Sequence, residues 1–344
     1  MDRGTFVKVV LFPGATSFIL FARLAMRLER KSLARIHARI GPQHAGPRGI
    51  LQPLYDLLKV LGKQIVIPKR ADKLAYVTAI HLPPIFLGVV LLSLPIRPSG
   101  PVIQLKNDML FAIAVFTALP VFFAIIARAS KNKYSLMGGA RSVINFAGFE
   151  VAKLVTVLSI ARLVGSRSFS DVVSRQKTHH RLIRYLPLAF ITLLIITLVE
   201  TERQPFDHPE AEPEVAYGIA TEFSSVFLAI RFSTAYTTLY ALSAFMVVVF
   251  FGGNHLVALS LGPLSIAADS VRRFVLKLFL LVRFIFLLRG GLMRYRPDQA
   301  VRYGRRIALL LAYINLVRTA YLVREVLRYG VPRYTHSLQE VLRS

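Results

Sequence analysis

The sequence predicts an all-α, polytopic membrane protein with about eight transmembrane helices and one amphipathic helix lying in the membrane interface. Three observations carry that prediction. Hydrophobic residues make up 54% of the 344-residue chain and the mean hydropathy is +0.53, too apolar for an ordinary soluble domain. Several apolar runs are long enough to cross a bilayer. The net charge of +26 falls mostly between those runs and at their ends, where anionic headgroups and the bias of basic residues to the cytoplasmic side account for it without nucleic acid. The chain has no cysteine, so it holds no disulfide framework, no thiolate metal site and no cysteine-ligated iron–sulfur cluster.

Residues 1–344 read as a single membrane domain. The first span is expected over about residues 5–28, as a membrane helix and not a signal peptide, with Pro13 and Gly14 as a kink and Arg23 and Arg27 snorkelling at its end. The connection 29–73 holds ten bases against three acids, Glu29, Asp56 and Asp72, which puts it on the cytoplasmic or matrix side. Within it Leu51, Leu54, Leu58 and Leu61 recur at helical spacing, with Asp56, Lys59 and Lys63 off that stripe. That is an interfacial helix, either a simple surface anchor or the wall of a lipid-accessible cavity. Further spans read at about 74–96, 108–128, 143–165, 185–200, 223–251, 272–288 and 305–326. The apolar piece at 255–268, broken by Gly262 and Pro263, is too short to span and reads as re-entrant or peripheral.

One connection differs from the rest. Seven of the 18 acidic residues lie between Glu200 and Glu222. They are Glu200, Glu202, Asp207, Glu210, Glu212, Glu214 and Glu222, with Arg203 the one base among them. Carboxylates packed this closely raise one another's pKa, which suits proton exchange near neutral pH. Glu150 and Lys153, three residues apart, share a face of the fourth span; charges at bilayer depth face a partner or a function. They are expected either to close on each other as a neutral pair or to serve as a step in a proton relay. Arg162, Arg231 and Arg318 also fall within apolar runs and are expected to snorkel or to pair with a neighbouring subunit. His37, His44, His81 and the pair His179-His180 show no strong ligand spacing, and no hydrolase triad, phosphate loop or zinc-protease motif is present. No catalytic or metal-binding residue is assigned.

Four segments carry a resemblance to a known family. Glu29-Arg-Lys-Ser-Leu-Ala-Arg-Ile-His-Ala-Arg-Ile-Gly-Pro-Gln-His-Ala-Gly-Pro-Arg-Gly-Ile-Leu-Gln-Pro-Leu-Tyr-Asp56-Leu-Leu-Lys59 resembles the first signature of subunit 1 of respiratory complex I, the NADH:quinone oxidoreductase. The Glu200–Glu222 stretch resembles the second, E-T-x-R-x-P-F-D-x-x-E-x-E-x-E. Lys133 to Glu150 and Arg289 to Gln299 are similar to two further family segments, so the likeness spans nearly the whole chain. It implies a subunit that joins a quinone-reducing arm to a proton-pumping membrane arm. Carried over by position, Arg30, Arg39, Asp56, Lys59 and Phe206 would lie at the quinone entrance and chamber. Glu150, Glu200, Arg203, Asp207, Glu210, Glu212 and Glu214 would make an acidic funnel that couples protons and charge, the 201–222 loop lining the chamber; Lys153, Glu202 and Glu222, read from the residues themselves, are expected to share in that coupling. Quinone, as ubiquinone, would be the substrate. NADH, FMN and iron–sulfur clusters would belong to partner subunits, the other partners being membrane lipids, and the expected location is the mitochondrial inner membrane or, alternatively, a bacterial plasma membrane.

The chain departs from the family pattern in places. Ala235 stands where the family has an acid before Tyr236, Phe149 and Phe223 flank Glu150 and Glu222 where tyrosines are usual, Met293 and Pro297 replace a proline and a tyrosine, and Lys153 adds a base. Other readings are the homologous subunit of a group 4 hydrogenase or ferredoxin-linked complex, a stand-alone cation or proton transporter, and a scaffold whose carboxylates only bind partner arginines.

Overall fold

The computed structural model describes residues 14–97, 99–178, 181–208, 217–254 and 266–329. A helix occupies most of the described part of each predicted span: α1 (Ala15–Ile36), α3 (Lys73–Ser93), α4 (Asp108–Ala129), α5 (Lys133–Val164), α8 (Pro187–Glu200), α9 (Ser225–Phe251), α10 (Ile266–Gly291) and α12 (Leu309–Tyr329). Between them lie the interfacial α2 (Gln52–Leu61), the short α6 (Phe169–Thr178) and α7 (Leu182–Tyr185), and α11 (Pro297–Tyr303), which enters α12 through a π-turn at Gly304–Ala308. There is no strand among the described residues. Five of these helical segments are long and apolar enough to cross a membrane, α11 and α12 counting as one. Helix α8 is shorter at 14 residues, and α1 and α10 carry several arginines and lysines along their length.

Helix α9 is the pillar of the bundle. From Phe232 to Phe251 it has no charged residue, so no face is reserved for water, and each residue from Thr237 to Phe250 is buried. Gly252, with φ 70°, ends it in a left-handed cap. Lys277 of α10 donates to the exposed carbonyls of Phe251 at 2.7 Å and Gly253 at 2.8 Å. Tyr240 stacks on Phe21 of α1 at 4.4 Å between centroids.

Several stretches expected as connections are helical: α1 runs on to Ile36, eight residues past the expected end of the first span, and α11 fills part of the gap before the last span. Residues 133–142 form the first turns of α5, started by Asn132, whose Oδ1 accepts from the Tyr134 amide at 2.9 Å. The basic stretch 167–184 contains α6 and α7; Phe169, Val172 and Val173 make an apolar face of α6, and Gln176 donates to the Val249 carbonyl at 2.7 Å. The expected re-entrant piece lies almost wholly outside the described residues, as do Glu210, Glu212, Glu214 and His179-His180.

Candidate functional site: a buried ionic network beside an apolar cavity

Lys153 is 2% exposed, and its ammonium donates to Glu150 Oε1 at 2.8 Å and Glu200 Oε1 at 2.6 Å. Glu200 is the last residue of α8, not part of the loop beyond it. The expected closed Glu150–Lys153 pair is therefore a triad bridging two helices, with one negative charge in excess when all three groups are ionised. Thr117 of α4 donates to Glu150 Oε2 at 2.8 Å, while Glu200 Oε2 has no hydrogen-bond partner among the described residues.

The chain beyond Glu200 folds back into the bundle. Glu202 has the left-handed φ of 48°, which costs an L-residue about 1–3 kcal/mol and is held by its surroundings. Its carboxylate takes Ser142 Oγ at 3.1 Å and the Arg231 guanidinium. Arg231 thus corrects the expectation of a snorkelling or subunit-pairing arginine: it is 3% exposed and its partner lies in this chain. Arg162 and Arg318 are exposed.

Glu29 gathers three groups. Arg203 Nε donates to it at 2.9 Å, the Tyr236 hydroxyl at 2.7 Å, and Arg289 forms an ion pair with the same carboxylate. Burial works against the Arg203 charge, but the adjacent Glu29 carboxylate more than restores it, so the guanidinium sits above its ordinary pKa. The first acid of one signature is thereby joined to the only base of the other. Further along, Asp207 pairs with Arg294 at 3.1 Å, His208 Nε2 meets the Tyr295 carbonyl at 2.8 Å, and Asn145 donates to the Phe206 carbonyl at 3.2 Å. Glu222, at the end of the 3₁₀ turn Gly218–Glu222, accepts from the Asn132 side chain.

A cavity of about 680 Å³ opens between α1, α2 and α9. Phe18, Met26, Leu57, Val60 and Phe232 give it apolar walls, and Arg30, Asp56 and Lys59 its charged part. Arg30 and Asp56 are ion-paired at 2.5 Å. Helix α2 turns Pro53, Asp56, Leu57, Lys59 and Val60 toward this space, while Leu51, Leu58 and Leu61 are exposed on its other side. The wall-forming alternative for the amphipathic helix is the one its geometry matches. Tyr236 lines the cavity and is the residue through which it touches Glu29. Two carried-over residues lie apart from it. Arg39 is exposed and lines a smaller hollow with Arg30. Phe206 is buried against Phe149, Tyr295 and Tyr303, its centroid 5.2 Å from that of Phe149.

Sequence reasoning missed Glu29, Arg231, Arg289 and Tyr236 as members of the network. The signal for Glu29 was its place at the head of the first signature; for Arg231 it was an arginine inside an apolar run. No group of three or more metal-ligating side chains occurs among the described residues.

The fold and this interior define a multi-pass membrane protein built around buried, paired charges. A family described as NADH dehydrogenase matches residues 8–320. The H subunit of the NADH-quinone oxidoreductase of Geobacillus kaustophilus (strain HTA426) is 34% identical over 321 residues, covering 91% of this chain and 94% of that protein. Its counterpart in Dehalococcoides mccartyi (strain CBDB1), also an NADH-quinone oxidoreductase H subunit, is 32% identical over 294 residues, 86% of this chain and 80% of that protein. A chain of the membrane-bound sulfane sulfur reductase, an archaeal respiratory membrane complex, superposes with a TM-score of 0.78 at 23% identity, covering 92% of this chain and 99% of that one, a likeness of fold. The chain belongs to the NADH dehydrogenase family, that of subunit 1 of respiratory complex I.

Proposed function

We propose that this chain is the membrane subunit of a proton-translocating NADH:quinone oxidoreductase, where it walls the quinone chamber and passes the charge change of quinone reduction to the membrane arm. The single observation that supports this best is the contact between the cavity and the ionic network at Tyr236. A quinone headgroup with its apolar tail suits a cavity whose walls are mostly apolar and whose charged groups cluster at one side. Charge appearing there acts on Glu29 and Arg203, and Arg203 shares a short backbone segment with Glu202 and Glu200.

In this reading Arg30, Asp56 and Lys59 meet the quinone, Arg39 and Phe206, which lie apart from the cavity, belong to its approach, and Glu150, Lys153, Glu200, Glu202, Arg203, Asp207 and Glu222 carry the coupling. Glu210, Glu212 and Glu214 extend it. Ubiquinone is the expected species. NADH, FMN and iron–sulfur clusters reside in partner subunits of the peripheral arm, and the remaining contacts are with membrane-arm subunits and lipid. The Geobacillus and Dehalococcoides relatives are bacterial, so they favour the plasma-membrane alternative over the mitochondrial inner membrane.

Native electrophoresis of gently solubilised membranes tests the assignment, with NADH-oxidising activity stained in the gel and this polypeptide located by mass spectrometry. Co-migration with a very large NADH-oxidising band is expected. A large band that evolves hydrogen, or accepts only ferredoxin electrons, assigns the chain to the other complexes; a small inactive species leaves the transporter.

A further inference from the structure

Asn315 of α12 has an exposure of 0%, and neither its Oδ1 nor its Nδ2 has a hydrogen-bond partner among the described residues. A buried amide in this condition is costly, so a native membrane interior supplies it with a partner. Helix α12 packs along α5 and α8. A side chain of α12 that is wholly covered within this chain therefore faces the seam those two helices make.

The height of Asn315 follows from the close crossing at Gly304, where a Cβ would stand 2.6 Å from the Gly148 carbonyl oxygen. With α5 and α12 read as the fourth and eighth of the expected spans, which run in the same direction, counts from that point through the π-turn bring Asn315 near the level of Ser159. Ser159 lies roughly 9 Å along α5 from Lys153. On α8, which runs the other way, Thr192 lies roughly 12 Å from Glu200 and so at nearly the same level. Thr156 stands between this layer and the Lys153 triad, and Thr319 continues one turn beyond Asn315.

All four hydroxyls are buried. Each gives its proton to its own helix: Thr156 to Ala152 O at 2.7 Å, Ser159 to Val155 O at 2.7 Å, Thr192 to Leu188 O at 2.8 Å and Thr319 to Asn315 O at 2.8 Å. Their oxygen lone pairs still accept. Acceptor oxygens on three helices, with one buried amide near their level offering both a donor and an acceptor, are groups that water complements, since each water has two protons to give and two lone pairs to receive.

We propose that Asn315, Thr156, Ser159, Thr192 and Thr319 hold a file of water molecules that extends the Lys153 triad toward the membrane face opposite the acidic loop and conducts protons along it. The inference rests on the coupling function proposed above. A proton entering at the Glu200 end is matched by one leaving at the Thr319 end, so no protein bond is broken and no oxidant is consumed.

The test uses the assembled complex in sealed vesicles, measuring protons moved per electron and the NADH:quinone electron-transfer rate. Asn315→Leu keeps the size and removes both polar atoms; Thr156→Val removes one hydroxyl. Each is expected to lower the proton yield at least twofold while electron transfer stays within twofold. An unchanged yield in Asn315→Leu, with Lys153→Met still lowering it, overturns the water file alone. An unchanged yield in all three variants overturns the coupling function as well. If Asn315→Leu fails to assemble, Thr156→Val decides by the same readout, and Asn315→Ser, which leaves room for water, is expected to retain the yield; a normal yield in Thr156→Val then overturns the file.

Discussion

Lys153 stands between two carboxylates on different helices, Glu150 and Glu200, and its ammonium is within 2.8 Å of both. Buried charges of this kind are expensive to desolvate, and removing one partner is worse than never having had the group. Lys153→Met leaves Glu150 and Glu200 facing each other with no cation between them. It is expected to depress proton transport more than electron transfer, read as the ratio of the two rates in sealed vesicles; equal loss of both identifies the lysine as structural. Glu29 makes the opposite case, one acid serving Arg203 and Arg289. Glu29→Gln strands the buried Arg203, at a cost of about 3–5 kcal/mol, so the complex is expected to dissociate at a lower temperature. Adding Arg203→Met is expected to restore part of that loss, and additivity of the two losses excludes the pairing. The sequence shows the carboxylates and bases but not these partners. Glu29 and Arg203 are 174 residues apart, and no periodicity links an end of α1 to the loop after α8. Glu150 and Lys153 were visible together because one helical turn joins them; Glu200, the third member, was not.

At the scale of elements, the acidic stretch is held by its neighbours more than by its own conformation. Helix α5 presses against the 3₁₀ turn that ends in Glu222, because Gly138 has no side chain there. A Cβ on Gly138 would lie 2.7 Å from the Ile219 amide nitrogen and 2.8 Å from Gly218 Cα. Gly138→Ala forces that turn away and disturbs the Asn132–Glu222 contact, at roughly 1–3 kcal/mol of overpacking. The expected outcome is a faster hydrogen exchange of the 217–224 amides, with those of α3 unchanged; exchange in the 217–224 amides identical to that of the unsubstituted chain contradicts the close approach. Element existence was readable from hydropathy because the spans are long and apolar. Helix ends were less so. Residues 133–142 are polar enough to resemble a connection, yet Asn132 caps them into α5. The stretch 167–184 is basic enough to hide the apolar face at Phe169, Val172 and Val173. For α2 the leucine stripe gave the helix, but which face meets the protein was set by packing: Leu58 points outward and Asp56 and Lys59 meet the cavity.

At the scale of the molecule, the pillar α9, uncharged from Phe232 to Phe251, separates two kinds of interior. On one side α1 and α2 close an apolar cavity around Tyr236; toward α5 and α8 lie the carboxylates, threonines and Lys153. Family membership was legible in the signatures Glu29–Lys59 and Glu200–Glu222, which are long and rich in specific residues. The resemblance implied that the acidic loop lines the chamber, but the contact of the cavity with Glu29 through Tyr236 was not legible, since it arises from helix packing across most of the chain. Through that contact a quinone bound in this cavity would act on the buried charges. A photoactivatable quinone analogue, cross-linked in the assembled complex and mapped by mass spectrometry, tests it most directly. Label is expected on residues 18–30, 53–63 or 229–237 of this chain, removed by excess unmodified quinone and reduced by Asp56→Asn. Label confined to other subunits, or label here that excess quinone leaves in place, would contradict it.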